Sequence, residues 1–191
     1  AIVQKDFKRM LAYSSIAHAG YVLVGILSMN STGYAAAMFY ALSILLMKFT
    51  VFLVLATVAA DGRNLQISEL AGLHRNSPLL AMALMLSLFG LAGIPPTIGF
   101  TAKLLVFTAA MQKGLFLLVL IAMINVVISL YYYIMAVKAA YLLEPASPTP
   151  SLTVPAPLKL LTFALVLVMV AAGMYPTGLF DLALAATERL F

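Results

Sequence analysis

Long apolar runs separated by short polar links make up most of the chain, and the runs show neither the alternation of a half-buried strand nor the polar face of a surface helix. Runs at about residues 10–29, 35–60, 115–138 and 157–175 each approach the ~20 apolar residues that a helix needs to cross a bilayer. A further run, at about 78–113, has 36 residues and is too long for one straight span. Its middle reads GLAGIPPTIGF, with Gly93, Pro95, Pro96 and Gly99. Proline inside a helix removes a backbone donor and clashes with the preceding turn, so this run predicts one discontinuous helix, unwound near 92–100. Non-helical backbone at membrane depth is tolerated only against protein or a watery cavity. The expected fold class is all-α, a polytopic transmembrane helix bundle of five spans with one broken helix.

The link between the last two spans carries Pro145, Pro148, Pro150, Pro155 and Pro157, which favours extended backbone. The last residues, TGLFDLALAATERLF, read as a short amphipathic helix lying along the interface. The first residues, AIVQKDFKRM, show no signal-peptide pattern and no initiator Met, and lead straight into a span. That start suggests a piece of a longer polytopic chain.

Composition supports the membrane reading. Of the 191 residues 64% are hydrophobic and 9% charged, against about 25% charged in soluble domains, and the mean hydropathy is +1.10. A net charge of +5 would suit nucleic acid, but the basic residues flank the apolar runs, as the positive-inside rule requires. With 78–113 as one broken span, Lys5, Lys8, Arg9, Arg63, Arg75, Lys138 and Lys159 fall on the cytoplasmic side, and Lys113 and Arg189 on the other. Splitting that run into two spans would send Lys138 and Lys159 outside. No nucleic-acid partner is implied.

The chain has no cysteine, which excludes disulfides, cysteine-ligated clusters and thiol catalysis. His18 and His74 are far apart and lack HExxH-type spacing, so no metal site is expected. The glycines around 90–99 match neither GxGxxG nor GxxxxGK[ST], so no nucleotide site is expected either. Asn125 and Ser129, one turn apart, read as polar glue between helices. Tyr131, Tyr132 and Tyr133 read as an aromatic belt, and His74 as a solvated loop residue.

Two lysines remain that do not flank a run. Lys48 sits at the centre of the second span, ~18 Å from either end at 1.5 Å per residue, and Lys103 follows the Gly/Pro break. A charge at the bilayer centre costs ~2.5–3.5 kcal/mol even on the lenient insertion scale. Snorkelling explains a lysine near a span end and does not serve Lys48. A buried amine can take up and release a proton as neighbouring charge or hydration changes, which an arginine cannot do. His18, within the first span, is either a third relay group or a histidine hydrogen-bonded to a neighbouring helix. The candidate proton-translocation residues are therefore Lys103, Lys48 and His18, with no catalytic residue and no metal ligand.

Three segments resemble a known family. KRMLAYSSIAHAGY (8–21) looks like a motif of the antiporter-like subunits of respiratory complex I and of related multisubunit cation/proton antiporters. AGIPPTIGFTAKLLVF (92–107) resembles their broken twelfth helix with its lysine at Lys103, where the subunit M branch usually has glutamate and the subunit N branch lysine. SLYYYIMAVKAAYL (129–142) resembles the following helix of the N branch. FYALSILLMKFTVFL (39–53) resembles a helix where sister subunits carry histidine and then lysine. Ile44 takes the histidine position here, so only the lysine, Lys48, is kept.

The resemblance covers essentially the whole chain and implies helices 10 to 14 of a fourteen-helix subunit of NADH:quinone oxidoreductase, holding the second of two half-channels. It further implies proton translocation coupled to quinone reduction elsewhere, with Lys103 as terminal carrier and Lys48 and His18 on the path to it. No cofactor would be bound by this chain, and no soluble small-molecule substrate other than protons. The implied partners are other membrane subunits of complex I and the lipid bilayer, and the implied location is the bacterial inner membrane. The alternatives are a subunit of a cation/proton antiporter or membrane-bound hydrogenase, and a structural membrane scaffold.

Overall fold

Lipid tails offer backbone amides no hydrogen bonds, so an apolar run must close its bonds within itself, and it does so as helix. The computed structural model describes residues 1–60, 62–145 and 152–188. In chain order the α-helices are α1 (Phe7–Leu27), α2 (Ser31–Val58), the single turn α3 (Leu73–Asn76), α4 (Pro78–Ala92), α5 (Ile98–Gln112), α6 (Phe116–Leu142), α7 (Ala156–Met174) and α8 (Thr177–Glu188). By length and composition α1, α2, α6 and α7 can each cross a membrane. Polar caps mark the entries. Asp6 accepts from the Arg9 amide at 2.9 Å and Asn30 from the Gly33 amide at 2.7 Å, each satisfying an orphan donor of the first turn.

The central helix is α2, which packs against α1, α4, α5, α7 and α8. Buried alanines at Ala35, Ala36 and Ala37 keep its entry thin, as helix packing in lipid prefers. α4 and α5 have 15 residues each, about 22 Å at 1.5 Å per residue, so neither spans alone. They follow one another across the bundle, separated by non-helical backbone from Gly93 to Thr97.

One end of the bundle gathers the basic residues. The Phe7 amide donates to Leu65 O at 2.9 Å, and Lys8 Nζ reaches Gly62 O and Arg63 O at 3.4 and 3.3 Å. Arg75 pairs with Glu144 at 3.9 Å, while Lys113 caps α5 at the opposite end. In the loop before α3, the Gln66 amide and the Arg63 guanidinium hold the Glu69 carboxyl below its usual range. Pro148, Pro150 and Arg189 lie outside the described residues. Pro155 and Pro157 begin α7, where a missing amide costs nothing.

His74 departs from the solvated position expected of it. Its Nδ1–H donates to Ala140 O at 3.0 Å, and its ring stacks on Tyr141 at 5.6 Å and 13°, tying α3 to the end of α6. Replacing His74 with alanine is expected to cost about 1–2 kcal/mol, one hydrogen bond plus one ring contact. Thermal unfolding in detergent measures this, and an unchanged midpoint would refute it.

The chain's end differs as well. α8 does not lie across the bundle along an interface. Phe180 meets Phe39 edge-on at 6.3 Å, and Thr187 Oγ1 donates to Ser31 O at 3.2 Å. Seven residues along α8 thus match eight along α2, so the two run antiparallel side by side. Only Tyr175 and Pro176 separate α7 from α8. Ala183 and Thr187 of α8 are buried against the bundle while Leu179 and Leu182 stay exposed, and α7 ends beside the α4–α5 break, where Gly173 packs against Pro96 and Thr97.

Candidate functional site

The break creates the site. The last carbonyls of a helix have no intrahelical partner, and here the chain turns away at Gly93 in the left-handed region (φ 91°), where glycine carries no penalty. Pro95 and Pro96 follow, joined by a cis peptide bond, and have no amide hydrogen to offer back. Lys103 supplies the missing donor. From the second turn of α5, its Nζ donates to Leu91 O and Ala92 O, each at 2.8 Å.

The ammonium therefore sits at the C-terminal, negative end of the α4 dipole, where a cation is favoured. It also lies over the Tyr21 ring, 5.4 Å from its centroid. Lys103 is 4% exposed, and among the described residues no carboxylate forms an ion pair with it. A Cβ on Gly93 would lie 3.1 Å from Nζ, so the missing side chain also gives the amine its room. Gly99 has a different task, since its hydrogen faces Gly90 O where a Cβ would come within 2.0 Å. It lets the two half-helices touch.

Lys48 is not at the centre of its helix. α2 begins at Ser31 and ends at Val58, which puts Lys48 about 15 Å from the basic end and about 26 Å from the other at 1.5 Å per residue. Half-buried, its amine reaches across to α1. Nζ donates to Leu11 O at 3.0 Å and to Ser15 Oγ, with Ser14 Oγ at 3.5 Å.

His18 lies one turn further along α1, 3% exposed. Its Nδ1 is 2.7 Å from the Tyr40 hydroxyl and its Nε2 3.0 Å from the Tyr133 hydroxyl. Ser14 Oγ, one turn before His18, donates to Leu11 O at 2.7 Å. Residues 11, 14, 18 and 21 share one face of a helix. That face of α1 runs from the Lys48 amine, past His18, to the Tyr21 ring under Lys103.

The three residues singled out in the sequence are thus brought onto one row, while Lys48 and Lys103 do not touch. Sequence reasoning missed Tyr40, Tyr133, Tyr21, Ser14 and Ser15. The tyrosine triplet is only partly a belt, with Tyr131 56% exposed and Tyr133 fully buried. A tyrosine inside an apolar run looks the same in sequence whether it anchors to headgroups or bonds a histidine. Among the described residues Asn125 and Ser129 form no hydrogen bond to another helix. They bond back to Ile121 O and Val126 O of α6 itself. Among the described residues no three His, Cys, Asp or Glu side chains cluster as metal ligands would.

A family model described as NADH:quinone oxidoreductase/Mrp antiporter, TM, matches residues 1–129. The chain belongs to this family. As a member of the NADH:quinone oxidoreductase/Mrp antiporter family with four helices fit to span, it is an integral membrane protein. It is 65% identical over 190 residues to NADH-quinone oxidoreductase subunit N 2 of Syntrophobacter fumaroxidans, covering 100% of this chain and 40% of that relative. The subunit N 2 of Opitutus terrae is 43% identical over 182 residues, 95% of this chain and 38% of that relative. The chain thus spans about 40% of the length of these curated relatives.

Among solved structures of the family's fold, respiratory complex I from Thermus thermophilus with bound aureothin contains a chain similar at TM-score 0.82 and 32% identity. That match covers 94% of this chain and 40% of that one. The Mrp complex from Dietzia sp. contains another, at TM-score 0.83 and 25% identity over 94% of this chain and 42% of that one.

Proposed function

We propose that this chain forms part of a subunit N of NADH:quinone oxidoreductase and carries protons through the membrane between Lys48 and Lys103. The observation that supports this best is the row on α1. Two amines within the membrane-embedded helices, neither with a carboxylate partner among the described residues, are connected along one helix face by a histidine held between two hydroxyls. The C-terminal part of such a subunit would hold one half-channel, with the remaining partners being other membrane subunits and lipid. Its membrane would be the bacterial inner membrane. Electron transfer and quinone reduction would take place elsewhere in the complex, and the role asks no cofactor of this chain.

The chemistry follows from the partners. A neutral imidazole has one donor and one acceptor nitrogen, and a tyrosine hydroxyl can serve either. When the Tyr40–His18–Tyr133 row passes a proton, the imidazole changes tautomer and both hydroxyls reverse. Ser14 lies between His18 and Lys48 on the same face of α1, its Oγ 3.5 Å from the Lys48 amine. At Lys103, the carbonyls of Leu91 and Ala92 hold the ammonium, and release of its proton requires water to take its place as donor.

Replacing Tyr133 with phenylalanine keeps the ring and removes the bond to His18. Assembly is expected to survive, while NADH-driven acidification of proteoliposomes slows several-fold, as loss of a proton-transfer group would produce. Pumping at the wild-type rate would remove Tyr133 from the path. The fold match to an Mrp complex chain supports a second reading as a cation/proton antiporter subunit. Purified complex that pumps on NADH alone excludes it. Proton flux unaffected by removal of both lysines would leave a structural scaffold.

A further inference from the structure

Tyr21 stands between the His18 cluster and Lys103, and its hydroxyl is buried without a hydrogen-bond partner. Buried hydroxyls are nearly always bonded, so an unpaired one asks for an explanation. Packing does not supply it. The ring meets His18 edge-on at 6.1 Å, Tyr40 at 6.0 Å and Phe107 at 5.9 Å, and the Lys103 ammonium lies over its face. Phenylalanine would make every one of these contacts.

The position is where the path is interrupted. Hydrogen bonds join Tyr133, His18 and Tyr40 and, separately, Lys48 and Ser14, and the hydrogen bonds of Lys103 go to Leu91 and Ala92 instead. On its other flank Tyr21 borders a cleft of about 210 Å³ between α1 and α6, beside Ala17, Gly20 and Asn125. At ~30 Å³ per water this has room for several, and the Asn125 amide gives it a polar wall.

We propose that Tyr21 is the link of the proton path between Lys103 and the His18 cluster, its hydroxyl, which no protein group bonds, being completed by water from the α1–α6 cleft. Along this link the Lys103 ammonium gives a proton to the water, and the water gives one of its own to the Tyr21 oxygen. Tyr21 passes its original hydroxyl proton to the Tyr40–His18 pair. Lys103 ends as a neutral amine, the water and the phenol are regenerated, and the proton resides on the histidine cluster. The reverse sequence reloads Lys103. This inference rests on the proposed function of the lysine pair.

The test uses the complete complex in proteoliposomes, with Tyr21→Phe, Gly20→Leu and Lys103→Gln side by side. Tyr21→Phe should assemble and melt no lower than wild type, since no protein group bonds the hydroxyl it lacks. Its NADH-driven pumping should fall about tenfold or more, with a larger rate decrease in D2O than wild type shows. A Cβ on Gly20 meets nothing within 4 Å and Gly20 lines the cleft, so Gly20→Leu brings apolar volume to the cleft wall and should slow pumping while leaving the hydroxyl in place. Wild-type pumping and isotope effect in Tyr21→Phe, beside a defective Lys103→Gln, overturns the link and leaves the lysine path standing. Wild-type pumping in Lys103→Gln overturns the lysine path itself. Failure of Tyr21→Phe to assemble means that the hydroxyl is structural, and also overturns the link. Normal pumping in Gly20→Leu removes the cleft as the source of water.

Discussion

Lys103→Gln will leave the assembled complex intact and lower proton translocation per electron by about tenfold or more, in the range expected when a proton-transfer group is lost. Glutamine keeps N–H donors for Leu91 O and Ala92 O, the two carbonyls that Lys103 serves. The cost of leaving buried acceptors bare, about 1–3 kcal/mol, is thereby avoided, so a pumping defect reports titration and not folding. Lys103→Arg is expected to fail too, because a guanidinium stays protonated and releases nothing. Lys103→Glu is expected to retain part of the function. A protonated carboxyl can donate to one of the carbonyls, whereas an ionised one would face two oxygens and the negative end of α4. The readouts are NADH-driven acidification of proteoliposomes and the NADH oxidation rate, measured together. A glutamine variant that pumps with wild-type stoichiometry and rate would return Lys103 to a structural role.

Gly173→Ala should damage the protein at the same place by another route. Gly173 lies at the end of α7 against the α4–α5 break, where an added Cβ would come within 2.2 Å of Pro96 O, 2.4 Å of Thr97 C and 2.6 Å of Ile98 N. All three are backbone atoms, so no rotamer change relieves the clash. Thr101 Oγ1 also donates to Gly173 O at 2.8 Å, locking α7 to the helix that carries Lys103. Overpacking a tight core costs about 1–3 kcal/mol, occasionally more, and backbone against backbone belongs at the upper end. A fall in melting temperature on the order of 5 °C or more is expected, with pumping reduced because the break and the Lys103 amine move together. Gly178→Ala, where a Cβ meets nothing within 4 Å, is the control and should melt as wild type. A Gly173→Ala variant as stable as that control would mean that the α7–break contact is loose.

Much of the architecture was legible because it depends on properties that are local in sequence. Apolar length sets where a helix crosses, two prolines in the interior of an apolar run interrupt its helical ladder, and an isolated lysine inside a span is costly whatever its neighbours. α4, the break and α5 follow from these local costs, as does the choice of Lys48 and Lys103. The partners were not legible. An all-apolar helix shows no polar stripe to reveal which face turns inward, so nothing marked Tyr40 and Tyr133 as the two sides of His18, or Tyr21 as the ring under Lys103.

The same limit explains the misplaced features. α8 has a composition suited to an interface, and only the site where α7 stops, beside the break, sends it along α2. Asn125 looked like interhelical glue, but the rotation of α6 leaves it bonded to its own turn. His74 looked solvated until the end of α6 came within reach. The cost of burying charge and unpaired backbone in hydrocarbon determined from the sequence that this protein is a helical membrane protein with a broken helix and two lysines among its spans. Only the tertiary structure decided which hydroxyls, carbonyls and rings meet those charges, because that depends on how each helix is rotated against its neighbours.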